Sequence, residues 1–248
     1  MHPVRIAELL LPFLSNRCHS EQGQRPSEEP AVLSESQLQS ISTYIDILQT
    51  WNARINLTAI RNEEEIVTRH FGESLFAARH LFPKVYPVSS SVSPVSSVVK
   101  GVDVDVHIAE GRLADLGSGA GFPGIPIKLW APNIALTLIE SNQKKATFLR
   151  EVARTLTLTN INIQNVRAQT LLPSSFDVVT LRAVERFAEI LPIAASLLAL
   201  QGRLALLISS SQLEPARSTL PQLSWQTPIP IPQSQSRQLL VGILEPRS

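Results

Sequence analysis

The sequence predicts an α/β fold in which a mainly parallel sheet is covered by helices and preceded by an amino-terminal helical extension. From Arg112 onward, short apolar runs alternate with amphipathic stretches of helical period. The first of those runs feeds a glycine-rich turn, and residues 34–83 upstream are patterned as helices. With 248 residues, 44% of them hydrophobic and 17% charged, the chain can bury a large core in one domain or in one domain with an appendage.

The first stretch, MHPVRIAELLLPFLSNRCHS, places Arg5 before a short apolar run that Glu8 interrupts, without a small-residue cleavage site. It reads as a helix or extension. Ser20 to Pro30 is polar and holds two prolines, so residues 1–33 are expected to form a variable, flexible and dispensable extension. Ser34 and Gln37 have capping-box spacing, and Leu38, Ile41, Ile45 and Leu48 follow at intervals of three and four. This predicts a helix to about Thr50. Trp51 to Arg61 (WNARINLTAIR) reads as a structured loop, with Trp51 joining the helix to the sheet. Asn62 and Glu65 then open a second helix with Ile66, Val67, Phe71, Leu75 and Ala78 on its apolar side. Residues 34–83 are therefore expected to be a helical cap. Residues 84–111, rich in Ser and Val, read as an inserted linker, with alternation at Val102 to Ile108 that permits one strand.

Residues 112–248 carry the expected sheet domain, packed with the cap as one functional unit. Strands are expected at Arg112–Leu116, Ala135–Glu140, Ile161–Val166, Phe176–Leu181, Arg203–Ile208 and Leu239–Leu244. Helices are expected at Gly124–Leu129, Gln143–Leu156 and Phe187–Leu200. Crossovers between parallel strands are right-handed.

The clearest local signal is LADLGSGAGFPGIP, Leu113 to Pro126. A short strand delivers Asp115, and Gly117, Gly119 and Gly121 let the backbone turn sharply and approach a ligand without Cβ crowding. Gly124 permits close packing of the next helix. Glu140 stands 19 residues after Gly121, at the end of the next strand, where a carboxylate accepts hydrogen bonds from ribose hydroxyls. The spacing of Gly119 and Gly121 departs from the dinucleotide fingerprint, and the alternating glycines resemble an S-adenosylmethionine loop. Another nucleotide cofactor and an ordinary strand-to-helix turn remain alternatives at this level.

Bulk properties set further bounds. The 22 basic and 21 acidic residues give a net charge of +1, which excludes a polycationic chain but permits a local basic face. The single cysteine, Cys18, offers no internal disulfide, redox pair or zinc cluster, so no metal site is expected and a reducing, cytoplasmic setting fits best. No apolar run has membrane-spanning length.

Several further segments occur in an order that resembles one family. WNARINLTAIR, RHFGESL, DLGSGAGFPGIP, ESNQKKATFLREV, NVRAQ and FDVVTLRAV, between about Tyr44 and Val184, are similar to the bacterial small-subunit ribosomal RNA methyltransferases that modify N7 of a guanosine in 16S rRNA. These are also called the glucose-inhibited division protein B family. The resemblance implies a class I S-adenosylmethionine-dependent methyltransferase fold. It also implies S-adenosylmethionine as donor and 16S ribosomal RNA as acceptor, free or within a small-subunit particle, with no membrane and no obligate protein partner. By position it puts Asp115, Gly117, Ser118, Gly119, Gly121 and Phe122 around the donor and Glu140 near the ribose. Ala168 and Gln169 would lie beside adenine, and Arg182 near the donor or acceptor entrance. Asn56, Thr58 and His70 match the pocket edge between helices and sheet.

The chain departs from the family at Glu73, where Asp is common, and at Gln169, where Glu is common. It also lacks the lysine and glycine usual near Ile208 and Ser209. A methyltransferase of this fold with another acceptor, or an inactive RNA-binding relative, are the rival expectations.

The chemistry asks little proton transfer of the protein. Guanine N7 already presents a lone pair, so the protein must chiefly align acceptor and methyl group. No catalytic residue is assigned, and His70 is read as structural. Lys144 and Lys145, with Arg61 and with Arg54, Arg69, Arg150 and Arg154, are expected to make a positive entrance for phosphates.

Overall fold

The computed structural model describes residues 1–15, 32–83, 111–183 and 186–246. Cys18, the polar join at residues 20–30, most of the linker and the strand expected at Val102 to Ile108 lie outside the described residues.

The helical region begins earlier than the sequence pattern suggests. Helix α1 (Pro3–Leu14) has proline in its first turn, an Nδ1 cap from His2, and an apolar face of Ile6, Leu10, Phe13 and Leu14 that is fully buried. Of the two readings of this stretch, helix or extension, residues 3–14 form the helix, and their apolar stripe is buried in the core. Helix α2 (Glu35–Ile55) starts on a complete Ser34–Gln37 capping box and ends at Asn56 in the left-handed conformation (φ 49°). It runs five residues past the expected stop at Thr50, taking Trp51 into the helix, where its ring packs edge-on against Phe148 at 5.9 Å.

Asn62 caps a second long helix through Glu65 N. It runs from α3 (Glu63–Glu65) through a π-helical stretch (Ile66–Gly72) into α4 (Glu73–Leu81). The π-helical widening has a definite hydrogen-bond signature. Glu73 N donates to the carbonyls of His70 and Thr68 and skips Arg69.

Among the described residues, eight strands form one sheet: β1 (Arg112–Leu116), β2 (Ala135–Ile139), β3 (Ile161–Gln164), β4 (Phe176–Arg182), β5 (Leu198–Ser209), β6 (Leu223–Trp225), β7 (Ile229–Pro230) and β8 (Arg237–Leu244). The order is β3-β2-β1-β4-β5-β8-β6, with β7 paired to β8. The first five are parallel, while β6, β7 and β8 are antiparallel additions. This is the class I methyltransferase fold that the resemblance implied. The chain leaves β1 toward β2 on one side and returns to β4 on the other, so the crevice for a ligand opens where β1 and β4 end.

Alternation along the strands divides the core in two. Leu113, Leu136, Leu138, Val178 and Leu207 face α1, α2, α4, α5 (Gly124–Trp130) and α6 (Gln143–Thr155). Ala114, Leu116, Val179, Leu181 and Leu206 face α7 (Phe187–Ser196) and α8 (Leu213–Thr219). The expected helix to Leu200 stops at Ser196, since Leu198 already pairs with Phe176 in the sheet. No described helix is long and apolar enough to cross a membrane.

Phe13 ties α1 to this core at the point where Gly72 lacks a side chain. A Cβ on Gly72 would lie 2.6 Å from the Phe13 ring. Phe13→Ala is expected to cost about 3–5 kcal/mol in a denaturant titration, the range for an emptied aromatic core site. A loss below about 1 kcal/mol would show that α1 does not share the core.

Candidate functional site

The turn after β1 is held from three directions. From below, the buried Asp115 carboxylate accepts from Gly124 N at 3.1 Å and Thr180 Oγ1 at 2.8 Å. From β2, Glu140 Oε2 accepts from Gly119 N at 2.9 Å, while its Oε1 accepts from Asn142 N at 2.7 Å. From the helical region, the Tyr44 hydroxyl donates to the Ala120 carbonyl. Gly117 N and Ser118 N add bonds to the Ile139 carbonyl at 2.9 and 3.1 Å.

Each glycine of the turn has its own reason. Gly119 has φ +57°, and a Cβ there would meet only the Gly117 carbonyl, 3.7 Å away, so its α-carbon faces open space. Gly121 has φ +84° and would drive a Cβ into the Tyr44 hydroxyl and Ile125. Gly124 abuts Leu138 at 2.6 Å and Asp115 at 2.9 Å. The surface presented by the turn is thus Gly117 and Gly119, whereas Ser118, Gly121 and Phe122 are buried. The Ser118 hydroxyl turns inward to the Asp115 carbonyl at 2.8 Å, and Phe122 stacks between Tyr44 and His70. Asp115, expected among donor-contacting residues, is fully buried and braces the turn from beneath.

The loops after β2 and β3 meet at the same edge. Asn165 Nδ2 donates to the Glu140 carbonyl at 2.8 Å, bringing the following turn alongside; there Ala168 is buried and Gln169 exposed.

A second polar cluster joins the helices to the end of β4. Arg182 Nη1 donates to His70 Nδ1 at 3.0 Å, so the His70 proton sits on Nε2, which donates to Thr58 Oγ1 at 2.8 Å. Arg182 Nη2 reaches Glu73 Oε2 at 3.0 Å and the Arg69 carbonyl at 2.6 Å. Asn52 holds the Thr58 backbone at both ends, at 2.9 and 3.0 Å. Arg182 is therefore 8% exposed and engaged with the helices. Burial, followed by the positive charges of Arg182, Arg69 and Arg237, lowers the His70 pKa to about 3, which leaves the imidazole neutral. Asn56 and Arg61 lie on the exposed rim, 3.5 Å apart. Lys144 and Lys145 occupy the first turn of α6, where the Asn142 side chain caps their backbone N–H groups. Neither lysine joins the two clusters.

The sequence profile of the rRNA small subunit methyltransferase G family matches residues 37–86 and 96–227. The chain belongs to this family. The match spans both the helical region and the sheet. Among named relatives, the ribosomal RNA small subunit methyltransferase G of Xylella fastidiosa is 38% identical over 162 residues, 65% of this chain and 64% of its own length. That of Roseiflexus castenholzii is 33% identical over 221 residues, 84% of each chain. The chain thus spans less than two thirds of the Xylella relative. Among solved structures, a ribosomal protein L11 methylase from Lactobacillus delbrueckii shares 18% identity with a TM-score of 0.47, over 54% of this chain and 70% of that one.

Tyr44, Asn52, Thr180 and Arg237 were not singled out from the sequence. Tyr44 sits at helical spacing between Ile41 and Leu48, which signals a core position but not a hydroxyl aimed at a turn 76 residues away. The Asn52 and Thr180 contacts are likewise set by tertiary packing.

Two outcomes test this geometry. Tyr44→Phe is expected to cost about 1–2 kcal/mol in a urea titration, because the Ala120 carbonyl loses its buried donor. Burial raises the Asp115 pKa to about 6, against the bonds from Thr180 and Gly124, so protonating the native state between pH 6 and about 4 favours folding. His70 has the opposite effect: between pH 6.5 and about 3 only the unfolded chain takes the proton, so stability is lost as pH falls. Asp115→Asn removes the compensating gain. Its stability should fall more steeply than the wild type's from pH 6 to 4, and parallel curves would contradict the assignment.

Proposed function

We propose that this protein transfers a methyl group from S-adenosylmethionine to N7 of a guanosine in 16S ribosomal RNA. The observation that carries the reading is the turn at Gly117 and Gly119, where bare backbone faces open space beside the anchored Glu140 carboxylate. A nucleoside fits such a cradle, since Glu140 retains unused lone pairs for ribose hydroxyls. Family membership supports the donor and the acceptor class. Bound there, S-adenosylmethionine would supply a methyl group on a sulfonium centre.

The residues then divide by task. Gly117 and Gly119 line the donor, Glu140 orients its sugar, and Ala168 and Gln169 flank its base. Asp115, Ser118, Gly121 and Phe122 keep the turn in shape. Arg182, His70 and Thr58 form the wall beside the acceptor, with Asn56 and Arg61 on its rim, and Lys144 and Lys145 attract phosphates. Guanine N7 needs no deprotonation, and the neutral His70, with both ring nitrogens engaged, suits a site that positions the acceptor without a base.

Labelled S-adenosylmethionine incubated with the protein and either free 16S RNA or small-subunit particles tests the whole reaction. Base-resolved mass analysis is expected to find 7-methylguanosine. A methyl group on another atom, or only on a small molecule, would overturn the acceptor. Gly119→Val tests the donor cradle separately. Calorimetry should give at least roughly tenfold weaker donor binding, about 1.4 kcal/mol, in a variant that circular dichroism shows to be folded. Unchanged affinity would remove the cradle from the donor site.

A further inference from the structure

A cavity of about 470 Å³ lies beside the end of β4, outside the donor cradle. Its walls are Phe13 from α1, Thr68 and Arg69 from the π-helical stretch, Ser209 from the end of β5, and the segment from Pro232 to Arg237 that leads into β8. Ser209 and Arg237 are registered partners across β5 and β8, so this wall is part of the sheet edge. Glu73, 3% exposed, contributes to the lining.

The charges around it do not balance. Glu73 Oε2 takes Arg182 Nη2 at 3.0 Å and Arg237 Nε at 2.9 Å. The Arg237 Nε is buried and close to the carboxylate, but lacks the alignment of a hydrogen bond. Among the described residues the Arg69 guanidinium has no hydrogen bond or ion pair. Two guanidiniums thus share one carboxylate, the exposed Arg69 side chain lines the same cavity, and the imidazole next to them is neutral. The local excess is two positive charges around a cavity open to solvent, a combination that favours an anion with several acceptor oxygens.

We infer that this cavity is a phosphate subsite, in which Arg69 and Arg237 hold a backbone phosphodiester of the acceptor RNA next to the nucleotide being modified. The inference rests on the RNA reading above, and gives it a point of register that base contacts alone would not supply. The cavity's size, within the span of about 300–1,000 Å³ typical of small-ligand sites, admits a nucleotide-sized group around the phosphate. Its place beside Arg182 puts the phosphate on the strand-end side of the wall assigned to the acceptor.

Two probes separate the subsite from the reading on which it rests. Inorganic phosphate, titrated into the full chain and followed by amide NMR, should give saturable shifts in Thr68 to Glu73 and Ser234 to Arg237. Arg69→Gln should abolish them, whereas Arg217→Gln, which alters an exposed cation on α8, should not. A labelled single-stranded oligoribonucleotide, followed by anisotropy across a salt series, should bind Arg69→Gln roughly three- to tenfold more weakly, with a salt slope smaller by about 0.7. Arg237→Lys, which keeps the charge but loses the planar fork, should give an intermediate loss. Absence of saturable phosphate shifts in the cavity overturns the subsite. So does an unchanged salt slope in Arg69→Gln. Phosphate binding here without any RNA binding would keep an anion subsite but overturn its RNA role, whereas the RNA reading itself stands or falls with the methylation assay.

Discussion

The whole arrangement depends on how a short stretch of glycine-rich backbone is kept in one shape. Left-handed residues lose much conformational freedom on folding, and a turn with three such glycines would otherwise sample many geometries. Glu140 opposes this from the neighbouring strand with a charge-assisted bond to Gly119 N, and Tyr44 opposes it from the helical region through the Ala120 carbonyl. One clamp belongs to the sheet and the other to the cap. The two layers therefore meet in the turn itself, and Gly121 is what allows Tyr44 close enough to act.

The polar cluster at the end of β4 works by a related logic. A carboxylate in the interior requires partners, and Glu73 finds two arginines from strands far apart in sequence. The glutamate arm at this position reaches both β4 and the start of β8. Arg182 in turn fixes the His70 ring, whose second nitrogen holds Thr58 and with it the loop between the two long helices. A chain of short polar contacts so links the loop, the π-helical stretch and two strands.

Much of this was legible from residue order. The Ser34–Gln37 and Asn62–Glu65 spacings foretold two helix starts, and short apolar runs foretold β1 to β5 and β8, because these signals are local. Asp115, the glycines and Glu140 were visible because their spacing is fixed by a strand, a turn and a helix in succession. The rest was set by distance in the chain. Helix α1 stayed open between helix and extension because its stripe has meaning only against α2 and α4. Strands β6 and β7 are three and two residues long, too short for alternation to register, and α8 begins in a Ser-rich stretch with a proline. Nor does any local pattern announce that Tyr44 reaches Ala120 or that Arg237 meets Glu73.

The skipped carbonyl in the π-helical stretch separates the main chain of residue 69 from its side chain. By reaching past Arg69 to Thr68, the Glu73 amide leaves a main-chain oxygen for the Arg182 guanidinium, so that anchor is written into peptide geometry and not into a side chain. Replacing the side chain at residue 69 leaves this grip on Arg182 in place, so what the Arg69 guanidinium does toward solvent is separable from the framework behind it.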